Sequence, residues 1–124
     1  MIDLFVVGIG GFFGAIARYA TSLAVAVVWP GRPPIATFLV NVAGSFALGF
    51  LLAYHPGGAP VDARLRLLLG TGFLGAFTTF STFEIDAQQM WATGEPGWAA
   101  LYVVGSVVAG LVAALLGIAL ATAR

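Results

Sequence analysis

The chain has 124 residues, of which 60% are hydrophobic and only 8% charged, and its mean hydropathy is +1.03. A water-soluble domain carries about 25% charged residues, so this chain cannot cover a surface against water and reads as a single-domain integral membrane protein. Five basic and five acidic residues cancel, which argues against a nucleic-acid partner, and the lack of cysteine excludes disulfides and thiolate metal sites.

The amino terminus, MIDLFVV, carries Asp3 where a secretory leader would have basic residues, so the first apolar run is expected to remain in the working protein. A crossing helix needs about 20 mainly apolar residues. The first such stretch runs from Leu4 to about Trp29 and is stopped by WPGRPP, with its three prolines. Gly10 and Gly14, four apart, present a small-residue face, with Ala17 and Ala20 nearby. Gly44, Gly49, Gly70, Gly105, Gly110 and Gly117 are expected to let the other spans approach closely in the same way. The run GIGGFFG lacks the glycine spacing of a dinucleotide fingerprint, and no strand precedes it. Arg18, in GAIARYA, admits two readings. It snorkels to the interface, or it charges a water-filled vestibule that draws anions.

The second span runs from about Ile35 to Tyr54 and closes at HPGGAP, whose His55 is the one histidine and leaves no imidazole pair for a metal or a proton relay. Asn41 lies within this span, with Ser45 one turn later on the same face. Its amide is either an interhelical hydrogen bond that glues the bundle or an uncharged donor for an anion.

The third span runs from about Leu65 and continues as a more polar helix to Trp91. It contains GAFTTFSTF, in which Thr78, Thr79, Ser81 and Thr82 interleave with Phe77, Phe80 and Phe83. Gly75 ahead of the β-branched pair Thr78-Thr79 suggests a break near 75–79. Such a break is tolerated at membrane depth only inside protein or beside water. It would offer carbonyls on one side and amide hydrogens on the other. Phe80 and Phe83 share a helical face, and aromatic edges are positive. They form either an anion-receiving pair or an ordinary packing stripe. After TGEPG the fourth span runs from about Trp98 to Ala121, with Tyr102 and Ser106 one turn apart. Trp29, Tyr54, Trp91 and Trp98 stand at span ends, as interfacial aromatics do.

Four spans put both termini on one side, which with the second loop holds Arg64, Arg66 and Arg124 against Arg32 on the other. That bias is too small to fix one orientation, so opposed copies pairing about an in-plane two-fold axis stand beside a single fixed orientation. No carboxylate falls in the core of spans one, two or four, whereas a proton-coupled cation transporter would need one. Hydroxyls, an amide and a guanidinium remain, an inventory that favours anions.

Three stretches, GGFFGAIARY, TFLVNVAGSFALGF and GFLGAFTTFSTFE, in this order and spacing, resemble the Fluc (CrcB) family of small dual-topology fluoride channels over nearly the whole chain. The resemblance implies an all-α, four-span subunit comprising residues 1–124, assembled as an antiparallel homodimer in the cell membrane with two fluoride pathways. It implies a pore lined by Asn41, Phe80 and Phe83, and a polar track of Ser81, Thr82, Tyr102 and Ser106. Arg18 would lie toward a vestibule. A structural sodium ion at the dimer centre would be held by the main-chain carbonyls of Gly75 and Thr78. Gly110, one turn past Ser106, interrupts the track, and Glu84 falls on an acidic family position. Function would be passive export of fluoride, without enzymatic chemistry. The rival, a small dual-topology multidrug or cation transporter, calls for an embedded Glu in the first span, which this one lacks.

Overall fold

A computed structural model describes residues 1–123; Arg124, counted above in the charge asymmetry, lies outside the described residues. Among those residues there are helices and turns and no strand. Helix α1 (Ile2–Val28) carries Asp3 in its first turn, where a carboxylate complements the helix dipole, and ends at Trp29 with Gly31 at φ 75° just beyond. Helix α2 (Pro33–Ala53) begins on proline, whose fixed φ suits a first turn, and ends at Tyr54. The loop that follows is a short 3₁₀ turn, Pro56–Gly58, with Gly57 and Gly58 at φ 66° and 81°, a conformation that favours glycine.

The third segment is composite. Asp62 caps α3 (Ala63–Arg66), its Oδ1 accepting the N–H groups of Arg64 and Leu65 at 3.0 and 3.1 Å. The chain then winds as a π-helix over Leu67–Leu74 and tightens again in α4 (Gly75–Phe77). Thr78 (φ −82°, ψ 159°) and Thr79 (φ −152°, ψ 122°) are extended, and α5 (Phe80–Ala92) starts after them. Gly75 itself is helical, at φ −63° and ψ −35°. The opening therefore lies at the two threonines, whose branched side chains suit extended backbone, and not at the glycine ahead of them. Helix α6 (Pro96–Thr122) completes the bundle.

Helix α2 packs chiefly on α6, and α1 on the π-helical segment and α4. Glycines set these distances. A Cβ on Gly10 would strike the Leu68 carbonyl, and one on Gly14 the Phe73 carbonyl; Gly49 and Gly117 bring α2 and α6 together against Ala114 and Phe46. Within the single chain Gly105 does not share this role, since among the described residues nothing beyond its own helix turn lies within 4 Å of a Cβ built there. The interior is correspondingly thin. Among the described residues Val40 is the one large side chain almost wholly enclosed, and Leu, Ile, Val and Phe side chains are exposed along α1 and α6. Helices α1, α2 and α6 are each long and apolar enough to cross a membrane. In lipid that exposed surface carries no hydrophobic penalty. An exposed Asp3–Arg64 pair at 3.8 Å puts the start of α1 beside α3.

Candidate anion pathway around the interrupted helix

Interrupting a helix in an apolar bundle orphans backbone groups, each of which needs a partner. Asn41, on α2, supplies two of them. Its Nδ2 donates to the Thr79 carbonyl at 2.9 Å, and its Oδ1 accepts the Thr79 N–H at 2.8 Å. An amide side chain has the donor and acceptor of a peptide group, so Asn41 pairs with Thr79 as a neighbouring strand would. The Thr78 hydroxyl donates to the Leu74 carbonyl at 2.9 Å, beside the Thr78 N–H at 3.0 Å. Thr79 is the N-cap of α5: its Oγ1 accepts the Thr82 N–H at 3.2 Å, and its hydroxyl donates to Thr82 Oγ1 at 3.0 Å. Arg18 Nη1 reaches the Thr78 carbonyl at 3.5 Å, the outer limit of a hydrogen bond. The Thr78 methyl fills the space above Gly44, where any Cβ would meet it.

Beyond the interruption, Phe80 is 70% exposed while Phe83 is only 8% exposed. Their ring centroids are 5.9 Å apart, so the pair is contiguous, but one ring faces outward and the other inward. Phe83 continues to Tyr102 on α6, at 5.3 Å between centroids. There the bundle holds a polar cluster that sequence reasoning missed. Asp86 is buried, and its Oδ2 accepts the Thr37 hydroxyl at 2.6 Å and the Tyr102 hydroxyl at 3.2 Å. A signal existed: Asp86 follows Phe83 by three residues and Thr37 precedes Asn41 by four, spacings that share a helical face. Glu84, the acid singled out from the sequence, is exposed.

Ser106 Oγ is buried with no hydrogen-bond partner. Gly110, which interrupts the hydroxyl sequence of α6, lies against Ser45 of α2, whose Oγ stands 3.6 Å from a Cβ built at Gly110. Ser81 and Thr82 are exposed, and Thr82 meets Thr79 and lines the opening that holds Arg18.

Three openings surround this constellation. A groove of about 280 Å³ lies over the interruption and is lined by Asn41, Ser45, Gly75, Thr78, Thr79 and Phe80 among others. A second, of about 270 Å³, holds Arg18, Tyr19, Thr37, Thr79 and Thr82. A third, of about 620 Å³, opens between Arg32, Gln89, Glu95 and Trp98 and reaches Asp86 and Tyr102. Thr79 lines the first and second, and the Thr37–Asp86 bond joins the second to the third. The arrangement therefore lines up neutral donors around the interruption, with Arg18 and Arg32 in the flanking openings and Asp86 as the acidic member of the cluster. Among the described residues no three His, Cys, Asp or Glu side chains gather as a metal-binding group.

The chain matches a family profile described as CrcB-like protein, Camphor Resistance (CrcB), over residues 5–118. It is 44% identical over 117 residues to the fluoride-specific ion channel FluC of Chlorobium luteolum, covering 94% of this chain and 90% of that one. With fluoride-specific ion channel FluC 2 of Bacillus thuringiensis subsp. konkukian it shares 42% identity over 120 residues, 97% of this chain and 98% of the relative. FluC 1 of Moorella thermoacetica is 41% identical over 113 residues, 91% of this chain and 81% of its own.

Proposed function

This chain belongs to the CrcB family, and on that footing we propose that it is a fluoride-selective channel, not an enzyme, through which cytoplasmic fluoride leaves down its electrochemical gradient. The observation that carries the reading is the interrupted helix held by Asn41, with Phe80 exposed beside it in an otherwise apolar bundle. Irregular backbone inside an apolar, membrane-crossing bundle belongs beside water or inside protein.

Fluoride is small and strongly hydrated, so a pore that selects it must replace water with several donors of moderate strength. Asn41 has one amide hydrogen beyond the one given to Thr79. The ring edges of Phe80 and Phe83 carry partial positive charge. The hydroxyls of Tyr102 and Ser106 follow, with those of Ser81 and Thr82 on the other flank. Ser106 is the best placed of these for an anion, because its buried Oγ has no partner within the protein. The Tyr102 hydroxyl is engaged with Asp86 and would have to turn from that carboxylate to serve an anion. Arg18 stands in the neighbouring opening, where a fixed charge raises local anion concentration without holding the ion in the narrow path. Conduction needs sites that bind weakly enough to release.

The assembly in this reading is an antiparallel homodimer of four-span subunits in the cell membrane. The weak charge bias and the apolar faces left bare on α1 and α6 support it. A structural sodium ion would lie at the dimer centre on the carbonyls of Gly75 and Thr78. Both residues line the groove over the interruption, and that groove bears no carboxylate. Neutral main-chain oxygens suit a singly charged hard cation. A cation held there would place positive charge between the protomers and tie their two interruptions together.

The multidrug-transporter reading lacks its required residue, since the one acid in α1 is Asp3, 65% exposed at the helix start. Hydrogen fluoride that crosses from acidic surroundings dissociates in a more alkaline cytoplasm, and a passive exit then suffices. The test is anion efflux from liposomes containing the purified protein, with a potassium ionophore to dissipate voltage. Rapid fluoride release with chloride retained is expected. Retention of both ions by folded protein would overturn the assignment.

A further inference from the structure

In an unbroken α-helix each carbonyl accepts the N–H four residues ahead. At the interruption, the two carbonyls assigned above to a cation both lose that partner, and in each case a side chain has taken it. The Thr79 N–H, which would close on the Gly75 carbonyl, goes instead to Asn41 Oδ1 at 2.8 Å. The Thr82 N–H, which would close on the Thr78 carbonyl, goes to Thr79 Oγ1 at 3.2 Å. The extended backbone of Thr78 and Thr79 alone does not secure this outcome, because amides without side-chain partners would drive the segment back toward regular helix.

From this geometry we propose that Asn41 and Thr79 are positioning residues for a monovalent cation. By capturing two amide hydrogens they free the main-chain oxygens of Gly75 and Thr78, residues that line one groove, from helical bonding. The inference rests on the cation reading above and assigns its determinants to side chains that never touch the ion. It gives Asn41 a second task besides lining the anion path. The Arg18 guanidinium, at 3.5 Å from the Thr78 carbonyl, draws on the same oxygen and opposes the cation by charge, so it has to turn from that oxygen when a cation binds.

The test titrates sodium chloride into the full-length purified protein in sodium-free choline buffer at constant ionic strength. It reads the sodium concentration that gives half of the thermal stabilisation. Asn41→Ala and Thr79→Val are each expected to raise that concentration by about tenfold or more, since an amide regains the carbonyl once its side-chain acceptor is gone. Thr79→Ser keeps the acceptor and should stay within about threefold of the native value. Asn41→Asp also keeps an oxygen toward the Thr79 N–H, so its sodium requirement should not rise, while its fluoride efflux is expected to fall because a carboxylate repels the anion. Thr79→Val is nearly isosteric and decides the matter where Asn41→Ala fails to fold. Native sodium requirements in folded Thr79→Val and Asn41→Ala would overturn the proposal. Absence of any sodium response in the native chain would instead remove the cation reading, a failure visible before any variant is made.

Discussion

Gly44 offers the sharpest test of how the interruption is seated. Gly44→Ala adds one methyl to the face of α2 that carries Asn41 three residues earlier, and that methyl would meet the Thr78 Cγ2 well inside contact distance. Phe77 Cδ1 and Thr78 Cβ, at 3.6 and 3.7 Å, would remain in ordinary contact. Thr78 cannot simply rotate away, because its hydroxyl is committed to the Leu74 carbonyl at 2.9 Å. Either that bond breaks, or α2 moves off the interruption and the paired Asn41–Thr79 bonds lengthen. Overpacking costs about 1–3 kcal/mol, and alanine returns about 0.5–1 kcal/mol over glycine inside a helix, leaving a net loss of about 1 kcal/mol.

Function should suffer more than stability. A displacement of about 1 Å in a positioned group can cost about 10²-fold where geometry is critical, and fluoride efflux is expected to fall by about tenfold or more. The compensating change is Thr78→Ser, which removes the offending methyl and keeps the hydroxyl bond to Leu74. Efflux from liposomes by fluoride electrode, with melting of the same preparations, should show the double variant close to native. The stability cycle should give a coupling of about 1–2 kcal/mol between the two positions. Native efflux and melting in Gly44→Ala, or a double variant no better than the single, would refute the seating argument.

Phe80→Ile retains bulk but loses the positive ring edge, so efflux should slow while the protein elutes at its native size; undiminished efflux would return Phe80 to a packing role. Thr37→Val removes a hydroxyl donor at 2.6 Å from the buried Asp86 carboxylate. It should destabilise the fold by about 1.5–3 kcal/mol in denaturant or thermal melts, the range for a hydrogen bond to a charged group. Unchanged melting would mean that the bond is not worth its burial. Ser106→Ala deletes a buried hydroxyl that has no partner, so stability should hold or rise while efflux falls. Intact efflux would exclude Ser106 from the pathway.

Hydropathy and proline punctuation made the helices legible, because a bilayer demands long apolar runs and a proline inside a helix removes a backbone bond. The position of the break was legible to within the segment 75–79, but not its author. Glycine is a permissive residue, yet Gly75 stays helical, and the threonines with Asn41 bring about the opening. That distinction depends on a partner 38 residues away, which local propensity cannot register. Asn41 was open to two readings, interhelical glue or anion donor. Its bonds to Thr79 satisfy the first, and its remaining N–H leaves room for the second. Asp86 escaped notice for a related reason. A carboxylate in a polar-looking stretch such as FEIDAQQ reads as solvated, and only the crossing of α5 with α2 and α6 encloses it against Thr37 and Tyr102.

The way the interruption is held also limits how strongly the anion path can bind. Asn41 has two amide hydrogens, and the bond to the Thr79 carbonyl uses one. On the proposed reading, an anion at Asn41 would meet a single amide N–H, whose dipole is already fixed by the reciprocal bond through Oδ1. The other groups near it, Phe80 and Phe83, contribute ring edges that are weaker still. Arg18 is directed at the Thr78 carbonyl from the neighbouring pocket. Were the Thr79 carbonyl satisfied by backbone, as in an unbroken helix, Asn41 would keep both donors for the ion and the site would hold it more tightly. Diverting one donor to the backbone secures the extended segment and weakens the anion site through the same bond, which is the compromise that rapid passage of a strongly hydrated ion requires.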